Sequence, residues 1–507
     1  MYLDSLKSNK SFGILAHPTS LPGGTYCGTF GEGLKDWLLL LSANKINNWQ
    51  FLPLSPTDST GSPYNSPSSF ALNTWFLDFN ELIEGGFILQ KDYLDKILLN
   101  AKNLDSFEFK IADQLSKLIG DQILDSWSSQ SEANKKEFYD WCKINDWVND
   151  YAVFMALKNE FEMSAWWEWP VQFRQKQQEA IELFIKSRTN EILVEKIMQW
   201  HVNRQWIKIK EFASIRKIRL IGDLPFYVAK DSVDVWSNKS LFSISIDGDL
   251  FFQSGVPPDY FSSTGQLWGT PVYSWTKHEK TKFDWWKKRF KRQYELVDVL
   301  RLDHFRALSG FWRVDGNAKN AIDGEWIKSP GKELLGSLRD LLKEKDLPII
   351  AEDLGVITED VITLRNEFGL PGMKILQFAF DGNKNNPYLP KNIIGNNWVV
   401  YTGTHDNATT ISWWENLEDV FKKDLDKKYY LSNNPSWNLI ELGMKTSANL
   451  FIAPIQDILC LDDRSRLNKP GTIKNNWKWK MKQTLDSIKP SIERYGELGK
   501  FHFRVNF

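Results

Sequence analysis

The chain has 507 residues, with 63 basic against 64 acidic side chains and a net charge of −1. That balance leaves no electrostatic footprint for nucleic acid or for an anionic membrane. A hydrophobic fraction of 42% with 25% charged residues excludes a disordered chain. The cysteines Cys27, Cys142 and Cys460 lie far apart and form no CxxC pair, which argues against a disulfide framework and a zinc site. The longest unbroken apolar run near the start, Trp37 to Leu41, is too short for a signal segment or a membrane span, so a cytoplasmic protein is expected.

Short apolar runs rich in β-branched residues recur along the chain, and the spacing predicts eight buried parallel strands. The first two are Phe12–His17 and Trp49–Leu54. A long charged stretch follows, Ser55 to Ile218, with helical patterning at Lys102–Leu124, Glu137–Asn159, Gln172–Lys186 and Val194–Ile215. The third strand is Arg219–Leu224. A second gap, Phe226 to Val297, is rich in Gly, Pro and aromatics at 255–275, which reads as a loop with exposed rings suited to gripping a polymer. The remaining strands are Asp298–Asp303, Pro348–Asp353, Met373–Phe378, Trp398–Thr402 and Leu450–Ile455, and segments such as Lys332–Lys345 and Glu359–Phe368 are the length of single crossover helices. Eight strand–helix units predict an α/β fold, a (β/α)8 TIM barrel over residues 1–507 with large insertions at 55–218, mainly helical, and 226–297. An open doubly wound sheet is the alternative, and the strand count disfavours it. Loops after C-terminal strand ends build the active site of such barrels, so both insertions are expected to wall the cleft.

Three acidic clusters fall at these strand ends. Arg301-Leu302-Asp303-His304-Phe305-Arg306 follows the fourth strand, Ala351-Glu352-Asp353-Leu354-Gly355 the fifth, and Gly403-Thr404-His405-Asp406-Asn407 the seventh. A carboxylate at the end of an apolar strand is costly to bury without partners, and three facing one barrel mouth call for a functional explanation. Retaining glycoside chemistry needs two carboxyls about 5–5.5 Å apart, one nucleophile and one acid/base. Arg301 and Asp303, two apart on a strand, point the same way, so the guanidinium would keep Asp303 ionised. Glu352, crowded among carboxylates, would hold its proton near neutral pH as a general acid must. His405 is placed to donate to a sugar hydroxyl.

The composition points the same way. The chain carries 24 Trp, 15 Tyr and 32 Phe, 14% of its residues, and aromatic faces stack on the C–H face of a sugar ring. The competing reading is that these rings fill a large core. With six histidines and no HExxH, a metal enzyme has no support, and Asp247-Gly248-Asp249 lacks the rest of an EF-hand loop and reads as a turn. No GxGxxG follows a strand, and neither a P-loop nor a GxSxG elbow is present, so nucleotide cofactors and serine hydrolase chemistry have no support either.

Along essentially its whole length the chain resembles the 4-α-glucanotransferases of the amylomaltase, or disproportionating-enzyme, type in glycoside hydrolase family 77. The resemblance is carried by His17-Pro18-Thr19-Ser20-Leu21-Pro22-Gly23, by Trp49-Gln50 with Leu52-Pro53-Leu54, and by Gly222-Asp223-Leu224-Pro225. It continues through Pro257-Pro258-Asp259-Tyr260-Phe261-Ser262, the three acidic clusters, Pro454-Ile455-Gln456-Asp457, Asn468-Lys469-Pro470-Gly471-Thr472 and Asn476-Trp477-Lys478-Trp479. Three positions depart from the family pattern: Thr29 stands where Asp is usual, Asn65 where Gln is common, and Lys480 where Arg often ends the last motif.

The resemblance implies Asp303 as nucleophile, Glu352 as acid/base and Asp406 as transition-state stabiliser. It implies glucan contacts from Tyr64, Asp223, Asp259, Tyr260, Phe261, Trp268, Arg301, His304, His405 and Asn476. It implies no metal and no organic cofactor, with maltooligosaccharides and other α-1,4-glucans as partners and a monomer or homodimer as the assembly. The expected reaction moves a glucan segment to the 4-hydroxyl of an acceptor by retaining double displacement. The rivals are an α-amylase-like hydrolase on the same chemistry and a glycan-binding protein without catalysis; the intact set Asp303, Glu352 and Asp406 argues against the second.

Overall fold

The computed structural model describes residues 10–22, 26–88, 106–258, 262–344 and 346–505. Eight parallel strands close into a barrel: β1 (Ser11–Leu15), β2 (Asn48–Gln50), β3 (Arg219–Leu224), β6 (Val299–Leu302), β9 (Ile349–Ala351), β10 (Gly372–Ile375), β11 (Trp398–Tyr401) and β12 (Leu450–Pro454). They follow one another round the barrel in chain order, with β12 pairing back to β1. Each expected strand is present, mostly shorter at its C-terminal end: Trp49–Leu54 is a strand only to Gln50, and Met373–Phe378 passes into a 3-10 turn at Leu376–Phe378. The carboxylates therefore stand on the loops just beyond the strands, where the backbone is free to turn into the cleft. The expected crossover helices are Gly331–Leu342 and Glu359–Glu367.

The barrel interior is a packed apolar column. Leu15, Ile221, Val299, Ile350, Met373, Ile375, Val399, Tyr401, Leu450 and Ile452 pack together inside it. Within it Tyr401 Oη donates to Gln50 Oε1 at 2.8 Å, so the phenol is not buried unpaired. Gly13 is required here by close approach: a Cβ on it would stand 2.5 Å from the carbonyl oxygen of Asn48 on β2.

Between β2 and β3 run the helices Phe109–Trp127, Glu132–Ile144, Trp147–Glu160, Gln178–Ser187 and Thr189–Ile215. Two of the expected helices divide. Glu137–Asn159 breaks at Asn145 and Asp146, residues that bond locally to backbone and favour helix ends; the Asn145 amide caps Trp141 O at 3.0 Å. Gln172–Lys186 breaks at Lys176, whose φ is +56° and whose ammonium is held by Asp150 at 2.7 Å and Ser237 at 3.0 Å. The helix expected from Lys102 begins at Phe109, and residues 102–105 lie outside the described residues.

The segment 255–275 is not one open loop. Gln266–Pro271 forms strand β5 and pairs antiparallel with β4 (Phe252–Val256). With β7 (Gly310–Asp315) and β8 (Gly324–Lys328) they build a separate sheet of order β5-β4-β7-β8. The rings in 255–275 divide accordingly: Trp268 on β5 is 37% exposed, whereas Tyr273 and Trp275 are buried. Most of the tryptophan is likewise core. Trp37, Trp49, Trp166, Trp169, Trp200, Trp206, Trp236 and Trp286 are all fully buried. Among the described residues no helix is long and apolar enough to cross a membrane.

Candidate active site

Neighbouring barrel strands bring the first two acidic clusters together. β3, β6 and β9 are adjacent, so Asp223, Arg301, Asp303 and Glu352 arrive on three consecutive strand ends. Backbone bonds continue the ladder past the strands: Asp303 N donates to Leu224 O at 3.0 Å and Glu352 N to Leu302 O at 3.1 Å. His304 then takes φ +50°, a left-handed conformation that costs a non-glycine residue about 1 kcal/mol. Its N–H donates to Glu352 Oε2 at 2.8 Å, so the strained turn and the carboxylate are linked.

Arg301 is the hinge of the cluster. Its Nη1 donates to both oxygens of Asp223, at 2.8 and 2.7 Å, and its Nη2 lies 3.0 Å from Asp303 Oδ1. Tyr64, from the loop after β2, donates its hydroxyl to Asp223 Oδ2 at 2.8 Å. Asp223 has no exposed side-chain surface, while Asp303 is 31% exposed. Asp223, expected as a glucan contact, therefore lies beneath the cleft and holds Arg301 and Tyr64, because every approach to its carboxylate is covered. Burial opposes charge on Arg301, but Asp223 and Asp303 outweigh it and hold the guanidinium firmly protonated. Burial pushes the Glu352 carboxyl well above the ordinary glutamate range; Arg301 opposes this, and the charges of Asp303 and Asp353 add to it. Asp353, next in sequence, turns the other way: it is buried in an ion pair with Arg365 and accepts from Met373 N at 2.7 Å.

The third cluster comes from the opposite side of the mouth. Tyr64 stacks on His405 with centroids 5.2 Å apart and 15° between planes, and Trp477 packs against both rings. His405 Nε2 lies 3.3 Å from Asp406 Oδ1, and Asn468 Nδ2 donates to the same oxygen at 2.6 Å. Asp303, Asp406, Tyr64, His405, Asn468, Asn476 and Trp477 share one cavity of about 380 Å³. Asn476 spends its side chain on the loop's own backbone, accepting from Lys469 N and donating to Thr472 O, so it shapes the rim. On the other flank Trp268 packs edge-on to His304 at 4.8 Å, with Tyr227 beside both rings. Burial lowers the His304 pKa to about 4, so this imidazole is neutral.

Asp259, Tyr260 and Phe261 lie outside the described residues. Asn468 and Tyr227 were not among the expected site residues. Asn468 belongs to a motif legible in the sequence, but nothing in a linear motif says that its amide meets Asp406. Tyr227 follows β3 in an ordinary apolar run and gives no signal of its own.

Two carboxyls on adjacent strand ends, one with a guanidinium beside it and one pushed toward its protonated form, are the groups that a nucleophile and a general acid require. The family model for 4-alpha-glucanotransferase, glycoside hydrolase 77, matches residues 16–486. A 4-alpha-glucanotransferase of a Synechocystis strain is 41% identical over 472 residues, covering 92% of this chain and 93% of that protein. One from Thermus thermophilus is 37% identical over 486 residues, covering 93% and 95%. The structure of an amylomaltase from Streptococcus agalactiae in complex with acarbose superposes with a TM-score of 0.92 at 33% identity, over 98% of this chain and 100% of that one. A barrel whose mouth carries this carboxylate set, matched over nearly its full length by such relatives, belongs to glycoside hydrolase family 77, the 4-α-glucanotransferases.

Proposed function

We propose that this cleft transfers α-1,4-glucan segments by a double displacement, with Asp303, Glu352 and Asp406 in the roles of nucleophile, acid/base and stabiliser. Glu352 gives its proton to the glycosidic oxygen while an Asp303 oxygen bonds to the anomeric carbon. The reducing-end fragment leaves with a free 4-hydroxyl, and a glucosyl ester remains on Asp303. The 4-hydroxyl of an acceptor then attacks the same carbon, yields its proton to the ionised Glu352 and releases Asp303. Two displacements retain the α configuration. Asp406, steered by His405 and Asn468, offsets the positive charge that develops on the sugar ring in both steps.

The observation that carries this assignment is the Asp223–Arg301–Asp303 chain standing beside a Glu352 whose pKa is raised. It sets one carboxyl beside a guanidinium and leaves the other pushed toward its protonated form, the pairing that the first step needs. Tyr64 with His405 on one flank, and Trp268 with His304 on the other, supply stacking faces for glucose rings along the cleft. The family resemblance adds Asp259, Tyr260 and Phe261 to the second flank. The acceptor must compete with water, which needs several kcal/mol from positioning and exclusion. Maltooligosaccharides are the substrates. Cys27, Cys142 and Cys460, all unpaired, fit the reducing cytoplasm.

Incubation with pure maltotriose tests the reading. Glucose and a ladder of longer maltodextrins appear while total reducing ends stay constant. Asp303→Asn abolishes the ladder, by about 10⁴-fold or more in rate. Rising reducing ends without longer products would mean hydrolysis, and an active Asp303→Asn would remove Asp303 from the mechanism.

A further inference from the structure

The loop carrying His405 and Asp406 runs from Gly403 to Thr409, between the end of β11 and the helix Thr410–Glu415. Its cleft side is held by Asn468. Its buried side is gripped by a residue that takes no part in the chemistry above. Asp457 lies in the short helix Ile455–Ile458, directly after β12, and is 1% exposed. Its Oδ2 accepts from Thr402 Oγ1 at 2.5 Å and from Thr410 Oγ1 at 2.7 Å, and its Oδ1 accepts from Thr410 N at 2.7 Å. Thr402 is the residue before the loop and Thr410 the residue after it. One carboxylate therefore joins both ends, and both threonines are completely buried.

Fixing two ends of a short loop removes most of the conformations between them. Other contacts finish the task locally. Gln377 Nε2 donates to Ala408 O at 2.9 Å, Asp463 Oδ1 accepts from Thr409 N at 2.8 Å, and Asn407 Oδ1 accepts from Thr404 N at 2.8 Å. The strand pair β11–β12 sets where Asp457 stands relative to Thr402, so the loop is referred to the barrel wall itself. A buried carboxylate is expensive unless its oxygens are satisfied. Here both oxygens are engaged by the two residues that bracket the loop.

We propose that Asp457 is a positioning residue for glucan transfer. Its carboxylate sets the span between Thr402 and Thr410 and so the stance of His405 and Asp406 at the cleft. The inference rests on the reading of Asp406 as the group that stabilises the transition state. A misplacement of about 1 Å at a catalytic group costs roughly 100-fold in rate.

The test is steady-state kinetics on maltotriose with full-length variants, their folding checked by circular dichroism. Asp457→Ala frees both loop ends, and kcat falls about 100-fold with a much smaller change in KM. Asp457→Asn restores most of the activity: its oxygen still accepts from Thr410 N, and its amide donates to the two hydroxyls, which turn from donors to acceptors. A merely stabilising contact gives no such rescue of kcat. In an Asp406→Asn background, Asp457→Ala adds little further loss, since its effect runs through Asp406. Full kcat in a folded Asp457→Ala, an Asn variant as slow as the Ala variant, or additive losses in the double variant would each overturn the proposal. Should Asp457→Ala fail to fold, Thr410→Val decides: a kcat lower by about tenfold at native circular dichroism supports the clamp, and an unchanged kcat overturns it. An Asp406→Asn enzyme that keeps full activity would instead sink the reading of Asp406, which this design separates from failure of the clamp.

Discussion

Arg301 donates to both oxygens of Asp223 and lies 3.0 Å from Asp303, and its planar fork is what allows one side chain to serve two carboxylates. Arg301→Lys keeps the charge and loses the fork. We expect kcat on maltotriose to fall about 100-fold with KM far less affected; a near-normal kcat would show that charge alone suffices. In the proposed mechanism Glu352, as the acid/base, sets the pH response. It must carry a proton to cleave the glycosidic bond, and its pKa is raised by burial first, with Asp303 and Asp353 adding. Raising the pH through that value removes the acid, so kcat/KM falls on the alkaline side. Asp353→Asn takes away one negative neighbour, lowers the Glu352 pKa and moves this limb to lower pH. A pH–rate profile for the parent and the variant checks the sign, and a limb displaced upward would contradict it.

At the scale of elements, β9 shows how one strand end serves two purposes. Successive side chains alternate, so Glu352 enters the mouth while Asp353 turns into the wall against Arg365 and Met373 N. Removing one partner of a buried pair costs about 3–5 kcal/mol. Asp353→Ala is therefore expected to lower the urea midpoint substantially, whereas Glu352→Gln loses transfer with a much smaller change in that midpoint. Most of the barrel strands were legible because they are covered on both faces and read as apolar runs, as in Leu450–Pro454, buried throughout. The second sheet was not legible. β5 and β8 are largely exposed, and β5 carries Gly269 at φ +67° and ends on Pro271, so no alternation survives to mark them. The helix breaks at Asn145 and Lys176 split the same way. The first follows from local side-chain bonding, whereas the second depends on Asp150 and Ser237, which are distant in sequence.

For the whole molecule, the insertion after β2 is tied to the barrel rather than appended to it. Trp206 on the helix Thr189–Ile215 donates to Leu296 O at 2.9 Å, just before β6. Lys158, 6% exposed in its side chain, bonds Asp231 at 2.6 Å together with the carbonyls of Met163 and Ser164. Lys158→Met takes the cation from a partly exposed Asp231 and the donor from two carbonyls, and we expect a loss of about 1–3 kcal/mol in stability. Urea unfolding followed by tryptophan fluorescence reads this directly, and an unchanged midpoint would show the contact to be dispensable.

The amino-acid sequence by itself determined the barrel and the family with its transfer activity, and it supplied the carboxylates proposed here for the chemistry, because strand burial and residue type are local properties written in short runs and motifs. It did not determine which polar residues meet. Asp223 was legible as part of the site but not as the buried partner of Arg301 and Tyr64, and Asn468 was legible as a motif but not as the donor to Asp406. The division of Glu352 from Asp353 and the grip of Asp457 on Thr402 and Thr410 are of the same kind. Hydrogen bonds and pKa shifts depend on distances of a few ångströms between groups far apart in the chain, and only closure of the barrel sets those distances.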